Sequence, residues 1–335
     1  MQTNLTEYIL GSQTRLAMPV GAYSGLQITG KSIAAATNDF LVQANAILAL
    51  YERYHTPFLQ TAMDLSIEAE TFGAQVRFEE GEIPTVLGRL VTSREDMTKL
   101  FAPKVGHKRT NVPLSVVPYL KEHTEGKEVF VLGGIIGPFS LVGRIYGVSE
   151  TLVLTYEDPE LLLDLLKMAT NFLQRYAEAF RGMGADGIIV AEPAAGLMSP
   201  GSLGRFSMPY VRQMVEALQT PDFSFVYHNC GAKLAHLNEI LKDGAAVHHF
   251  GKPMDIAAAL ERVDGQTILA GNLDPAEVFV GSTADEVYQQ SKNLLAATVE
   301  HRNFVLSSGC DLPPNMPLAN LDAFYQALSD FNLAP

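Results

Sequence analysis

Phe223-Ser-Phe-Val-Tyr-His228-Asn-Cys230-Gly231 reads as a buried strand that ends in His-x-Cys and turns, at Gly231, into an amphipathic run reaching Asp243. The order is strand, short turn bearing potential ligands, helix. The chain has two cysteines, and the second stands in the same kind of place. Cys310 follows the apolar run Asn303-Phe-Val-Leu-Ser-Ser-Gly309. Both cysteines are therefore expected at the C-terminal ends of parallel strands, which share one rim in a parallel barrel. His228, Cys230 and Cys310 converging there would form a three-ligand zinc site with an open fourth position. The alternatives are two small buried apolar side chains with an ordinary packing histidine, or a disulfide, for which nothing suggests an oxidising compartment.

The elements on either side set the fold class. A loop-like N-terminal arm, 1–35, is rich in Gly, Ser and Thr. An amphipathic helix follows over 38–54, then candidate strands at 57–63, 75–78 and 129–136. From residue 158 the alternation is regular. Helices are expected at 158–181, 207–218, 232–242, 255–263, 283–299 and 321–328. The strands between them are expected at 187–191, 223–228, 245–250, 266–270 and 303–309. Eight strands separated by helices predict one (β/α)8 TIM barrel over 36–335, carrying the N-terminal arm and a helical extension. A doubly wound open sheet is the alternative. It would gather polar groups at one switch point, whereas here they recur at successive strand ends: Asp64, Glu192, His228 with Cys230, Asn272 with Asp274, and Cys310.

The 335 residues are 47% hydrophobic and 18% charged, enough for a large core. With 24 basic against 37 acidic side chains, the net charge of −13 argues against nucleic-acid binding, which needs a basic footprint. No apolar run approaches the roughly 20 residues of a membrane span, and the first residues do not read as a signal peptide. A cytoplasmic protein is expected.

Zinc held by two thiolates and an imidazole carries little net charge. It suits deprotonating a substrate thiol and keeping its sulfur nucleophilic better than it suits generating hydroxide. The other imidazole nitrogen should be pinned by an acceptor. Glu192 is a candidate resting ligand or base, or else a capping carboxylate before Pro193. Asp64 and Glu68 fall on one helical face if that turn is helical. Asn272 and Asp274 are candidates for cofactor binding, or build the Asp-Pro turn. Of His248 and His249, alternation lets only one face the barrel interior.

These motifs resemble the uroporphyrinogen decarboxylase superfamily, and within it the zinc-dependent methylcobalamin:coenzyme M methyltransferases. The residues that carry the likeness are His228-Asn-Cys-Gly231, Gly271-Asn-Leu-Asp-Pro275, Ser308-Gly-Cys310-Asp-Leu-Pro-Pro314 and Asp64-Leu-Ser-Ile-Glu-Ala-Glu70-x-x-Gly73. The likeness runs from about residue 35 to the end. It implies zinc on His228, Cys230 and Cys310, and methyl transfer between a methylcorrinoid such as methylcobalamin and a small thiol. The corrinoid would be free or on a corrinoid protein, since no Asp-x-His-x-x-Gly cobalt-binding pattern is present. The alternative is cofactor-free decarboxylation of a uroporphyrinogen-like substrate through Asp64, which matches that branch's key aspartate. Two departures stand out. The arm segment Gln13-Thr-Arg15-Leu-Ala-Met-Pro19 has one arginine where the decarboxylases have a pattern of them. His249-Phe-Gly251-Lys252 stands where the methyltransferases carry an acidic residue.

Overall fold

The computed structural model describes residues 4–101 and 103–333. Seven strands form one parallel sheet: β1 (Phe58–Gln60), β4 (Phe130–Ile136), β5 (Gly187–Ala191), β6 (Ser224–Asn229), β7 (Val247–Phe250), β8 (Ile268–Leu273) and β9 (Phe304–Ser308). β2 (Gln75–Arg77) and β3 (Thr85–Leu87) form a separate antiparallel hairpin. The sheet is almost wholly buried on both faces, as a parallel sheet covered by helices must be. Period-two alternation divides each strand. Leu132, Ile189, Val226, Val247, Ile268, Ala270 and Val305 fill the interior. Their neighbours Val131, Ile188, Val190, Phe225, Tyr227, Leu269 and Leu306 pack outward on the helices. The architecture is a (β/α)8 TIM barrel.

The expected second stave, 75–78, is not in the barrel. Gln75 and Arg77 are exposed and only Val76 is partly covered, a polar pattern that a barrel strand buried on both faces cannot carry. Residues 16–20, inside the stretch expected as an arm, occupy the gap between β9 and β1. Ala17 bridges Leu306 in parallel; Met18 N donates to Leu306 O (2.9 Å), and Leu306 N to Leu16 O (3.0 Å). On the other side, Thr56 Oγ1 donates to Ala17 O (3.0 Å) and Gln60 Nε2 to Pro19 O (2.9 Å). Pro19 lacks an N–H, which keeps this ladder short and hid it in the sequence. Met18 and Val20 join the interior cluster. Helix Leu5–Gly11 plugs the floor of the barrel: Leu5 and Ile9 belong to the same cluster, and Tyr8 lies 5.1 Å from the Phe130 ring. Arg15 donates to the carbonyls of Thr298, His301 and Phe304, so this arginine of the arm is a structural clasp.

The helices follow their sequence signals where caps are strong. Phe40–Tyr54 starts on Asp39, and Pro159–Gly182 on Asp158. Ala284–Ala297 starts on a Thr283/Glu286 capping box. The helices Asn111–His123, Pro138–Tyr146 and Val148–Glu157 were not expected. The expected helix 232–242 is a chain of short turns around Leu237–Ile240. Among the described residues, no helix is long and apolar enough to cross a membrane.

Candidate metal centre

His228 is the interior-facing residue two beyond Val226, so alternation turns its ring into the mouth of the barrel. Cys230 follows on the turn, and Cys310 lies two residues past the end of β9. One ring nitrogen of His228 and the two Sγ atoms all lie within 4.8 Å of one another. His228 is buried and both cysteines are half-buried, so the thiols are reachable from outside. The thiols are coupled. A hydrogen bond from Cys310 pulls Cys230 down to about 7, against the effect of burial. The same bond, together with burial, pushes Cys310 up to about 12. The hydrogen bond between the thiols thus favours a thiolate on one of them, held by its neighbour.

The ring of His228 also meets a second histidine. Its Nδ1 lies 2.7 Å from Nδ1 of His249, whose Nε2 lies 2.7 Å from Ser307 Oγ. Ser307 Oγ donates in turn to Met18 O (2.5 Å). Burial first, and His228 beside it second, hold His249 well below the usual imidazole range. His248, one residue earlier, points outward to Asp243 (2.8 Å).

The other predicted residues are placed differently. Glu192 is fully buried and lies outside the group of three. Its Oε1 accepts from Phe139 N (2.9 Å), and its Oε2 from Ser140 N (2.9 Å) and Ser140 Oγ (2.7 Å). The carboxylate is thus drawn to the N-terminus of helix Pro138–Tyr146, whose free N–H groups attract it more than the rim does. Burial pushes it up to about 7 against those hydrogen bonds. Asn272 Nδ2 donates to Gly251 O (3.1 Å) and Met254 O (2.6 Å), tying β8 to the loop after β7. Asp274 accepts from Ala276 N (2.9 Å) and Glu277 N (2.8 Å). Both candidates for cofactor binding are thus engaged with main chain.

Asp64 is buried against Arg109 Nη1 and accepts from Ser66 N (3.0 Å) and Ser66 Oγ (2.6 Å). Arg109 also bonds Glu70 (2.7 Å) and Ser66 Oγ (2.8 Å), and its guanidinium lies 4.8 Å from the Phe78 ring. Glu68 accepts from Ile136 N (3.0 Å) through Oε1, and burial pushes it up to about 7. Its Oε2 has no partner among the described residues. Arg144 lies within the field of Asp64 and Glu68, and burial lowers it. Arg109, Arg144 and Ser307 escaped sequence reasoning, and the sequence marks His249 only as one of two adjacent histidines. Strand alternation is the signal for both His249 and Ser307.

Known proteins place this geometry in a family. The methylcobamide:CoM methyltransferase MtbA of Methanosarcina acetivorans is 29% identical over 294 residues, covering 87% of this chain and 83% of that relative. A uroporphyrinogen decarboxylase of Solibacter usitatus is 23% identical over 274 residues, covering 80% and 77%. A solved methyltransferase from Methanosarcina mazei superposes with a TM-score of 0.87 at 22% identity, over 98% of both chains, which speaks for the fold. The pattern of the uroporphyrinogen decarboxylase (URO-D) family matches residues 14–331, nearly the whole chain. The chain belongs to the URO-D family.

Proposed function

We propose that this chain is a zinc-dependent methyltransferase that moves a methyl group between a methylcorrinoid and a small thiol of the coenzyme M type. The observation that carries this reading is the meeting of His228, Cys230 and Cys310 at the rim, with donor atoms within 4.8 Å. Two thiols and one imidazole are a zinc donor set, and three protein donors leave a coordination position for substrate. A thiol whose deprotonation is favoured by its neighbour's hydrogen bond suits binding a cation. The chemistry that zinc supplies when bound here is to hold a substrate thiol as its thiolate.

The chain's own residues do the rest. His228, Cys230 and Cys310 would hold the ion, while His249 Nδ1, 2.7 Å from His228 Nδ1, would fix the orientation of that ring. In the net reaction the thiol sulfur gains the methyl group, its proton leaves to solvent, and cobalt keeps the electron pair of the broken cobalt–carbon bond. The corrinoid would arrive free or on a corrinoid protein. The relatives named methylcobamide:CoM methyltransferases support this reading. The decarboxylase alternative is weaker, because the Asp64 carboxylate is already engaged by Arg109 and Ser66.

The test is zinc content with demethylation of methylcobalamin by a panel of thiols. Wild type should bind one zinc per chain and turn over. The double variant Cys230→Ala, Cys310→Ala should lose both properties while keeping its fold. Stoichiometric zinc in the double variant, or no demethylation with any thiol, would overturn the proposal.

A further inference from the structure

We propose that Ser307, acting through His249 and anchored on the Met18 carbonyl, sets the tautomer of His228 and so makes its Nε2 a ligand. The inference rests on the metal reading above and adds three groups that touch no metal. The argument follows the protons. Met18 O is a carbonyl and has none to give, so its 2.5 Å approach to Ser307 Oγ requires the serine hydroxyl proton between the two oxygens. Ser307 Oγ therefore meets His249 Nε2, 2.7 Å away, as an acceptor, and His249 carries its proton on Nε2. Among the described residues no carboxylate bonds His249, which is fully buried, so its ring is neutral and Nδ1 holds a lone pair. The 2.7 Å contact with His228 Nδ1 then needs the proton of His228. His228 is thereby an Nδ1–H tautomer, which leaves the lone pair on Nε2, the ring nitrogen free to serve as a ligand.

The chain of bonds begins outside the strands that hold the donors. Met18 belongs to residues 16–20, which close the barrel between β9 and β1. His249 stands beside His228 in the β6–β7 register, and Ser307 lies two strands further round the ring. All three lie on the interior side of the wall: His249 and Ser307 continue the alternation of Val247 and Val305, and Met18 sits in the interior cluster. Without the Ser307 oxygen, the His249 ring loses its side-chain acceptor and keeps only the Ser308 backbone, so its proton is no longer fixed on Nε2 by Ser307. A His249 that moves it to Nδ1 forces His228 to accept, and His228 then carries a proton on Nε2, where a metal ligand needs a lone pair.

Long-range 1H–15N spectra of histidine-labelled, metal-free wild type read the tautomers directly. His228 should be protonated on Nδ1 and His249 on Nε2. Ser307→Ala should show a mixture, with zinc affinity in chelator competition lower by about ten- to a hundred-fold, the scale for groups that orient a ligand. Ser307→Thr, which keeps the hydroxyl, should restore both readouts. A wild-type His228 protonated on Nε2 would overturn the inference whether or not the variant folds. So would a folded Ser307→Ala that binds zinc as tightly as wild type. The tautomer measurement needs no metal, so it separates this inference from the zinc proposal.

Discussion

Glu192→Gln tests where the structure puts this carboxylate, and the effect can be worked from its environment. The side chain is fully buried, with both oxygens on the N-terminus of helix Pro138–Tyr146. Burial raises it from the ordinary 4.5 to about 7. In the window between those values the folded protein binds more protons than the unfolded chain, so stability falls as pH rises through it and stays low above 7. At about 1.4 kcal/mol per pH unit the full loss is on the order of 3 kcal/mol, most of it between pH 5 and pH 8. Glutamine has no such titration. Its amide N–H2 will face at least one helix N–H, at a cost of about 1–3 kcal/mol that does not depend on pH. Urea unfolding of metal-free wild type and variant at both pH values isolates the titrating part, because metal linkage and Glu68 are common to both proteins. Relative to wild type, the variant should be better off at pH 8 than at pH 5 by on the order of 2 kcal/mol. A difference between the proteins that is the same at both pH values would refute the placement of Glu192 in a dry site. Loss of zinc from the variant would show instead that the carboxylate serves the metal.

Two further outcomes follow from the packing around the mouth. A Cβ on Gly251 would fall on the Cys230 carbonyl oxygen, with Cys230 Cα only 2.8 Å away, so Gly251→Ala must displace the ligand turn. It should weaken zinc binding about tenfold or more with circular dichroism unchanged, and wild-type affinity in chelator competition would refute the argument. Among the described residues Arg144 has no hydrogen-bond or ion-pair partner, although Asp64 and Glu68 lie within its field. Arg144→Gln should raise KM for 2-mercaptoethanesulfonate about tenfold and leave 2-mercaptoethanol unaffected, a loss of about 1.4 kcal/mol of charge-assisted binding. An equal change for both thiols would exclude a role in recognising an anionic tail.

The sequence made legible whatever depends on one segment at a time. The regular strand-helix order after residue 158, the caps at Asp39, Asp158 and Thr283, and the rim position of His228, Cys230 and Cys310 come from local pattern and the scarcity of cysteine. What it hid depends on two segments meeting. Residues 75–78 looked like a stave because β-branched and aromatic residues alternate there, yet Gln75 and Arg77 suit an exposed hairpin. Residues 16–20 looked like a loop because Pro19 interrupts them and Gly21 follows, yet the short β1 leaves a gap beside β9 that they fill. Glu192 looked like a rim residue because it ends β5, but a helix begun by Pro138 offers it free N–H groups first.

The site shows the same division at finer scale. Alternation alone turns His228, His249 and Ser307 inward, because each stands two residues beyond an interior valine: Val226, Val247 and Val305. That much is written in each strand. Whether the three side chains touch depends on stagger between strands. β6 and β7 set His228 level with His249, while β8 and β9 set Ser307 level with Asn272, two residues above Ala270, the partner of His249. A barrel's stagger accumulates around the ring and appears in no single strand. It lifts Ser307 to where His249 Nε2 can reach it, and the segment that closes the ring supplies the Met18 carbonyl that takes the serine proton. The donors of the metal centre are therefore local features of the sequence, while the protonation that makes one of them a ligand is a property of the closed barrel.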